Sequence, residues 1–228
     1  MADGLLLVQK PPGMTSHDVV EVVRRTLGTR RVGHTGTLDP MAEGLLILLV
    51  GTATKHQHAF QGHEKTYEAI LQLGLQTDTG DRDGKPLRTA SVPALSRSQV
   101  AEVLAGFQGP LAQTPPVYSA VKVRGRPSYW WARRHQPVAL APRMIHLFEL
   151  ILVDYQAEVM TFRVRCSSGT YIRTLGESVA ERLGTVGCLT RLVRLRVGEW
   201  ALEQAKPFAW VQGATAEMLA HEVKPCVS

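Results

Sequence analysis

The sequence predicts an α+β protein built on a mixed, mainly antiparallel sheet with flanking helices. Apolar runs of strand length alternate irregularly with helical patterns, which does not fit a regularly wound parallel sheet. The segments 145–153 and 159–166 are strand-like runs joined by a polar turn, as in an antiparallel hairpin. With 228 residues, 44% of them hydrophobic, the chain can bury a sizeable core of its own.

The first elements follow from a change of hydrophobic period. Residues 4–8 form an apolar run that residues 10–13, Lys-Pro-Pro-Gly, stop, which predicts a buried strand and a turn. A helix is then predicted from Ser16, taken as its N-cap, to Gly28, because valines recur at helical spacing between them. The aliphatic run 45–50 is expected to be a central strand.

Further along, strands are predicted at 66–73, 145–153, 159–166 and 192–200, and helices at 98–107 and from 173 to 183. Residues 113–134 are irregular, aromatic and basic, which indicates a mobile insertion that faces a partner. We expect one domain over residues 1–206 and a short helical tail over 207–228.

The charge favours a polyanionic partner. The chain carries 26 Lys and Arg against 20 Asp and Glu, a formal charge of +6. Its arginines are clustered, for example at positions 191, 194 and 196, so a folded basic face is expected. A solvated surface without a partner explains the same composition.

Cysteine usage and hydropathy argue against disulfide-rich, zinc-binding and membrane-spanning proteins. Cys166, Cys188 and Cys226 are odd in number and widely spaced, which predicts neither a disulfide framework nor a zinc site. The aliphatic run 45–50 is far short of the roughly 20 residues that cross a bilayer, and the first residues lack a basic segment. A cytoplasmic protein without membrane association is expected.

The segment 33–40 is the strongest local signal for chemistry. It places His34, two glycines, two threonines and Asp39 directly before the predicted central strand, and Glu43 follows. Pro40 restricts Asp39 to an extended conformation. Asp before Pro is also a common way to start a turn or helix, so a purely structural Asp39 is the alternative. A carboxylate-dependent hydrolase is a further alternative, and Glu43 is its local candidate for a second acid or base.

Two other patterns do not carry a function. In phosphoryl-transfer ATPases the phosphorylated Asp precedes Lys-Thr-Gly-Thr, whereas Asp39 follows Thr-Gly-Thr. The acidic segment with Asp78, Asp81 and Asp83 suggests a calcium loop, but Thr89 occupies the position of the closing Glu. We therefore interpret residues 77–84 as a solvated turn.

Four segments in order resemble the TruB family of pseudouridine synthases. Residues 33–46, GHTGTLDPMAEGLL, are similar to its G-H-x-G-x-L-D-P-x-A-x-G-x-L signature. Residues 6–16 resemble its D-K-P-x-G-x-T-S element, with Gln9 where Asp is usual. Residues 65–67 match K-x-Y, and residues 166–175, CSSGTYIRTL, resemble C-S-x-G-T-Y-I-R-x-L. Agreement over about residues 5–200 is far more specific than any single motif.

The resemblance implies the pseudouridine synthase fold with an RNA-binding insertion, and it assigns residue roles. Asp39 matches the aspartate that attacks or activates the uridine, Tyr67 the tyrosine that packs on the base and is a candidate for proton transfer, and Arg173 the arginine that pairs with the carboxylate. The substrate-binding positions that it implies are His34, Lys55, Tyr171 and Leu195. A guanidinium suits a carboxylate that must stay ionised better than an ammonium does.

The implied activity is tRNA pseudouridine-55 synthesis on the T-arm stem-loop, by base flipping and exchange of a C–N for a C–C glycosidic bond. This exchange involves no redox change, so no metal and no cofactor are expected, and we expect a monomer. Bacterial members usually carry a C-terminal PUA domain, which we expect to be absent or truncated here. A non-catalytic RNA-binding module with the same fold is the remaining alternative, although Asp39 and Arg173 are both present.

Overall fold

The structure is a computed structural model that describes residues 2–134, 136 and 138–225. Its contacts divide the chain into two compact units. The first unit holds the described part of residues 1–67 and 192–228, and the second holds that of residues 68–191. Both boundaries fall inside strands, between Tyr67 and Glu68 and between Arg191 and Leu192.

Strands are the more numerous elements of the described chain. In order they are β1 (Gly4–Lys10), β2 (Val32–His34), β3 (Glu43–Val50), β4 (Lys65–Leu73), β5 (Leu75–Thr77), β6 (Pro86–Thr89), β7 (Gly109–Gln113), β8 (Lys122–Val123), β9 (Arg126–Pro127), β10 (Arg143–Gln156), β11 (Val159–Cys166), β12 (Gly187–Val197), β13 (Trp200–Ala201) and β14 (Lys206–Pro207).

The helices lie between these strands. The α-helices are α1 (Ser16–Leu27), α2 (Gln57–Gln61), α3 (Arg97–Ala105), α4 (Ser128–Ala132), α5 (Ile172–Arg182), α6 (Phe208–Gly213) and α7 (Ala216–Glu222), and 3₁₀ turns cover Gly51–His56 and Leu202–Gln204.

In the first unit β3 is the central strand, as its aliphatic sequence predicts. The strand order is β14-β1-β3-β12, and β2 also pairs with β3. The β1–β3 pair is antiparallel, from Gly4 opposite Val50 to Lys10 opposite Gly44, whereas β3 and β12 are parallel. Residues 44–50 of β3 are all buried, because both faces of the strand are covered.

The helix α1 shows how a local prediction needed correction. Ser16 was predicted to cap it, but the N-cap is Thr15, whose side chain accepts a hydrogen bond from the backbone N–H of Asp18. The Asp18 carboxylate returns a hydrogen bond to the Thr15 N–H. Gly28 ends the helix in the left-handed conformation, as predicted. Ser16 is thereby available for another contact.

The segment after residue 206 packs within the first unit. Strand β14 is parallel to β1, and Val8 lies opposite Lys206. Leu219 of α7 is fully buried, and the backbones of Leu5 and Lys224 exchange two hydrogen bonds. The predicted helical character of this segment is confirmed at α6 and α7, while Cys226 lies outside the described residues.

The second unit contains the predicted hairpin. Its strand order is β4-β11-β10-β7, and β10 pairs antiparallel with both β11 and β7. The helices α3 and α5 bury Leu104 and Val179, and Cys166 and Cys188 are buried thiols. Most strand pairs in both units are antiparallel, which confirms the predicted α+β class with a mixed sheet.

The aromatic, basic insertion has local order. Strands β8 and β9 form a hairpin, and the one-turn helix α4 follows. Two guanidinium groups approach the Trp130 ring, with Arg126 at 5.4 Å and Arg134 at 3.7 Å from its centroid. Across the described residues, no helix is both long and apolar enough to span a bilayer.

Candidate active site

The segment with Asp39 connects β2 to β3 and is here called the Asp39 loop, residues 35–42. Its first residue is tied to the sheet, because the Thr35 N–H donates to the carbonyl of Ile47 at 3.1 Å. The turn expected at Asp-Pro is present, since the Asp39 carbonyl accepts from the Ala42 N–H at 3.1 Å. Asp39 itself is only partly buried. The loop therefore presents a carboxylate at the surface of the first unit.

The N-terminus of α1 holds the loop on one side. The Ser16 hydroxyl donates to the carbonyl of Leu38 at 3.2 Å and accepts from its N–H at 2.8 Å. The Gly13 N–H donates to the carbonyl of Pro40 at 2.8 Å. These bonds fix the backbone immediately before and after Asp39.

Lys10, at the end of β1, contacts the loop at Pro40. Its side chain is fully buried, and its ammonium donates to the carbonyls of Pro11 at 2.9 Å, Met14 at 2.7 Å and Pro40 at 3.3 Å. Burial lowers the pKa of Lys10 from 10.5 to about 8, against the opposing charge of Asp39. Lys10 is thus a buried cation in the electrostatic neighbourhood of the candidate catalytic carboxylate.

Arg194 contacts the loop from β12. It is 2% exposed, and its guanidinium donates to the carbonyl of Leu45 at 2.7 Å, of Gly36 at 3.1 Å and of Thr37 at 3.4 Å. The expectation that Arg194 belongs to an exposed basic face is wrong. Its charge is instead satisfied by main-chain carbonyls inside the first unit.

His34 ends β2 just before the loop. Burial lowers the pKa of its imidazole, and the charges of Arg194 and His17 lower it further, so the neutral form is favoured. Among the residues that the structure describes, none is a hydrogen-bond partner of the buried Nδ1 atom. Because buried polar atoms are nearly always paired, this atom is a candidate for contact with a substrate.

The other candidates in the first unit lie on neighbouring elements. Tyr67 is on the buried face of β4 and is 9% exposed. Lys65 precedes it on the same face and donates to the carbonyls of Gln61 and His63. Lys55 is exposed on the 3₁₀ turn after β3. Leu195 follows Arg194 on β12, where alternation directs adjacent side chains to opposite faces.

Arg173 and Tyr171 belong to the second unit, at the start of α5. Arg173 is 4% exposed and donates to the carbonyls of Thr79 at 2.6 Å and Tyr118 at 2.8 Å. Its Nε lies 3.6 Å from a carboxylate oxygen of Asp81. The Tyr171 backbone is fixed by the side-chain amide of Gln113, at 2.8 Å and 3.0 Å. These contacts fix the guanidinium within its own unit.

The interpretation of residues 77–84 as a solvated turn is wrong at its centre. Asp81 is 5% exposed and accepts hydrogen bonds from the Thr79 hydroxyl at 2.6 Å and the Asp83 N–H at 3.1 Å. A charged partner, Arg173, makes this burial possible. Burial also raises the pKa of the nearby Glu177 carboxyl.

Sequence reasoning missed the burial of two cations of the first unit, Lys10 and Arg194. Lys10 was interpreted as part of a turn signal, and Arg194 as part of a surface cluster. A weak signal for burial was present in each case: Lys10 ends a mostly apolar strand, and Arg194 lies between Val193 and Leu195. A charged residue in such a position is buried only when it is paired or hydrogen-bonded.

Known proteins are similar to this chain in sequence and in fold. The family model described as "TruB family pseudouridylate synthase (N terminal domain)" matches residues 24–172. Among solved structures, a crystal structure of a Cbf5-Nop10-Gar1 complex superposes with a TM-score of 0.72 at 25% identity, over 98% of this chain and 60% of that chain. An H/ACA RNP bound to a substrate RNA containing 2'-deoxyuridine has a TM-score of 0.70 at 22% identity, over 97% of this chain and 59% of the other. The fold is that of the pseudouridine synthases.

Curated relatives narrow the class to a family. A tRNA pseudouridine synthase B of Hydrogenovibrio crunogenus is 48% identical over 196 residues, 86% of this chain and 65% of the relative. Those of Syntrophus aciditrophicus and Caldanaerobacter subterraneus are 45% and 40% identical, over 89% and 95% of this chain and 65% and 76% of theirs. The chain belongs to the TruB family of pseudouridylate synthases.

The match does not extend over the whole of those relatives. The chain spans 65% of the length of the Hydrogenovibrio and Syntrophus proteins.

Proposed function

We propose that this protein is a tRNA pseudouridine-55 synthase that isomerises uridine in the T loop. The observation that carries the proposal is the Asp39 loop. It keeps the family signature, and hydrogen bonds from Ser16 of α1 and Arg194 of β12 hold its backbone. A nucleophile on a fixed loop meets the demand for a defined attack geometry. The names of the relatives, tRNA pseudouridine synthase B, support the same substrate class.

The proposed catalytic residues are Asp39, Tyr67 and Arg173. Asp39 supplies the carboxylate that attacks or activates the uridine. Tyr67 is proposed to stack on the base and to take part in proton transfer, and Arg173 to favour an ionised carboxylate. Base stacking contributes roughly 1–3 kcal/mol, which offsets much of the cost of flipping the nucleotide.

The proposed substrate-binding residues are His34, Lys55, Tyr171 and Leu195. His34 has the most direct support, because its buried Nδ1 lacks a hydrogen-bond partner in the described part of the chain. Lys55 is exposed and cationic, which suits a phosphate contact. Leu195 stays a prediction that rests on the family resemblance alone.

Around this core we propose a monomer that acts in the cytoplasm on the T arm of tRNA without a metal or organic cofactor. The isomerisation breaks one glycosidic bond and forms another, so it needs no electron acceptor. Light scattering tests the monomer, and full activity in excess chelator tests metal independence.

The deciding experiment uses a T-arm stem-loop that carries 5-tritiated uridine. Forming the bond at carbon 5 displaces the hydrogen there, so isomerisation releases tritium to water. We expect release with the wild type and none with Asp39→Asn, which keeps the size and turn preference of Asp but loses the charge.

Three results would contradict this reading in different ways. Binding without tritium release indicates a non-catalytic RNA module. Release of uracil from the stem-loop indicates a hydrolase. Substantial activity in Asp39→Asn makes Asp39 a structural residue.

A further inference from the structure

We infer that Arg194 is a positioning residue for catalysis: it ties the first part of the Asp39 loop to strand β3, which follows the loop, and thereby positions the carboxylate. This inference rests on the proposed function, because it concerns the rate of the reaction at Asp39. It adds a residue to which the family signature, as matched in this sequence, gives no role.

The contacts of Arg194 bridge the loop. Gly36 and Thr37 precede Asp39 by three and two residues, and Leu45 follows it in β3. The guanidinium donates to the carbonyl of each of them. One rigid group therefore connects the incoming and outgoing chain at the level of Asp39. Movement of the backbone at Gly36 or Thr37 relative to β3 requires that at least one of these bonds breaks.

The backbone of β12 brings Arg194 to this place. Arg194 pairs with Gly44 across the parallel β3–β12 contact. Gly44 has a φ of 106°, and a Cβ there would lie 2.4 Å from the Arg194 carbonyl oxygen. Only glycine permits this close approach, so Gly44 allows the backbone of β12 at Arg194 to lie directly against β3.

The chemistry of the side chain explains why arginine is needed. The guanidinium has five N–H donors in a planar fork, and here the donors point to carbonyls on two separate segments. A lysine ammonium on a flexible stem cannot hold both segments at fixed distances. The role differs from that of Lys10, which donates to Pro11, Met14 and Pro40.

Arg194→Lys tests this role, because it keeps the charge and removes the fork. We expect the single-turnover rate on a saturating T-arm stem-loop to fall by about 10- to 100-fold, the scale for a nucleophile displaced by a fraction of an ångström. The RNA dissociation constant should change by less than about threefold, because the group touches only protein carbonyls.

The matched control is Leu104→Ala, a fully buried residue of α3 in the second unit. It should lower the unfolding free energy by about 2–5 kcal/mol, at least as much as Arg194→Lys. Its rate on saturating RNA should nevertheless stay within about twofold of wild type at a temperature well below Tm. Equal rate losses in both variants would show that Arg194 acts through stability alone, and an unchanged rate in Arg194→Lys would overturn the inference outright.

A measurement on the wild type covers the case in which Arg194→Lys does not fold. With ¹⁵N-labelled arginine and triple-resonance assignment, the Arg194 Nε–H should exchange with solvent at least about 100-fold more slowly than that of the exposed Arg97. Exchange at the rate of Arg97 would mean that the bridge is not formed. Because wild-type tritium release is measured first, failure of the proposed function and failure of this inference are distinguishable.

Discussion

Replacing Ser16 by alanine should separate the anchoring of the Asp39 loop from the stability of α1. Ser16 is 1% and Leu38 is 3% exposed, and the hydroxyl satisfies both backbone groups of Leu38. Alanine leaves a buried N–H without an acceptor, which costs about 1–3 kcal/mol. Because Leu38 directly precedes Asp39, loss of these bonds lets the carboxylate move. We therefore expect the single-turnover rate on saturating RNA to fall by about 10-fold or more.

The neighbouring residue offers a matched control for this change. Thr15→Ala removes the N-cap of the same helix and should cost about 1 kcal/mol, but its side chain bonds to Asp18 and not to the loop. Urea unfolding measures both stabilities, and rapid-quench assays measure both rates. If the two variants lose stability and turnover in the same proportion, the Ser16–Leu38 contact does not position Asp39.

Three further predictions concern other groups of the site. Tyr67→Phe should bind the stem-loop nearly normally and turn over at least about 100-fold more slowly in single-turnover assays, whereas a near-normal rate would leave Tyr67 only as a stacking surface. Arg173→Lys cannot keep both carbonyl contacts and the approach to Asp81. The turnover rate should therefore fall far more than the RNA affinity, and equal losses in both would place Arg173 on the RNA backbone. Lys10 loses its proton near pH 8 in the fold but near 10.5 when unfolded, so the unfolded chain binds more protons between these values and wild-type stability should rise there. The free energy of unfolding of wild type minus that of Lys10→Met, measured in urea, should therefore rise with pH by on the order of 3 kcal/mol across the window. A difference that does not change with pH would contradict the lowered pKa.

The parts of the fold that the sequence predicted are those set by neighbours along the chain. Strand β3 has an unbroken aliphatic run, and α1 has valines at helical spacing between a capping residue and a glycine. The hairpin of β10 and β11 has a polar turn between two strands. In each case the period and the punctuation lie in one continuous stretch of the sequence, where such patterns are informative.

The candidate site was predicted only in part, for the same reason. Asp39 and His34 stand out because polar residues gather beside a buried strand. The burial of Asp81 depends on Arg173, which is 92 positions away in the sequence, and no local pattern records that pairing. Ser16 was assigned to the helix cap because its contact with Leu38, 22 positions away, lies outside the local pattern too.

Buried cations are the hardest case, because composition argues against them. Lys10 and Arg194 would each cost several kcal/mol if buried without partners, so a basic residue is first assigned to the surface. What reverses that assignment is the Asp39 loop itself, whose main-chain carbonyls have few partners within a short connection between strands. An irregular loop that must be rigid needs donors from elsewhere in the chain, and long cationic side chains supply several at once. Hydrogen bonds to main-chain carbonyls therefore accompany both buried charges: Arg194 bonds Gly36 and Thr37 of the loop and Leu45 of β3, and Lys10 bonds Pro40 of the loop beside Pro11 and Met14.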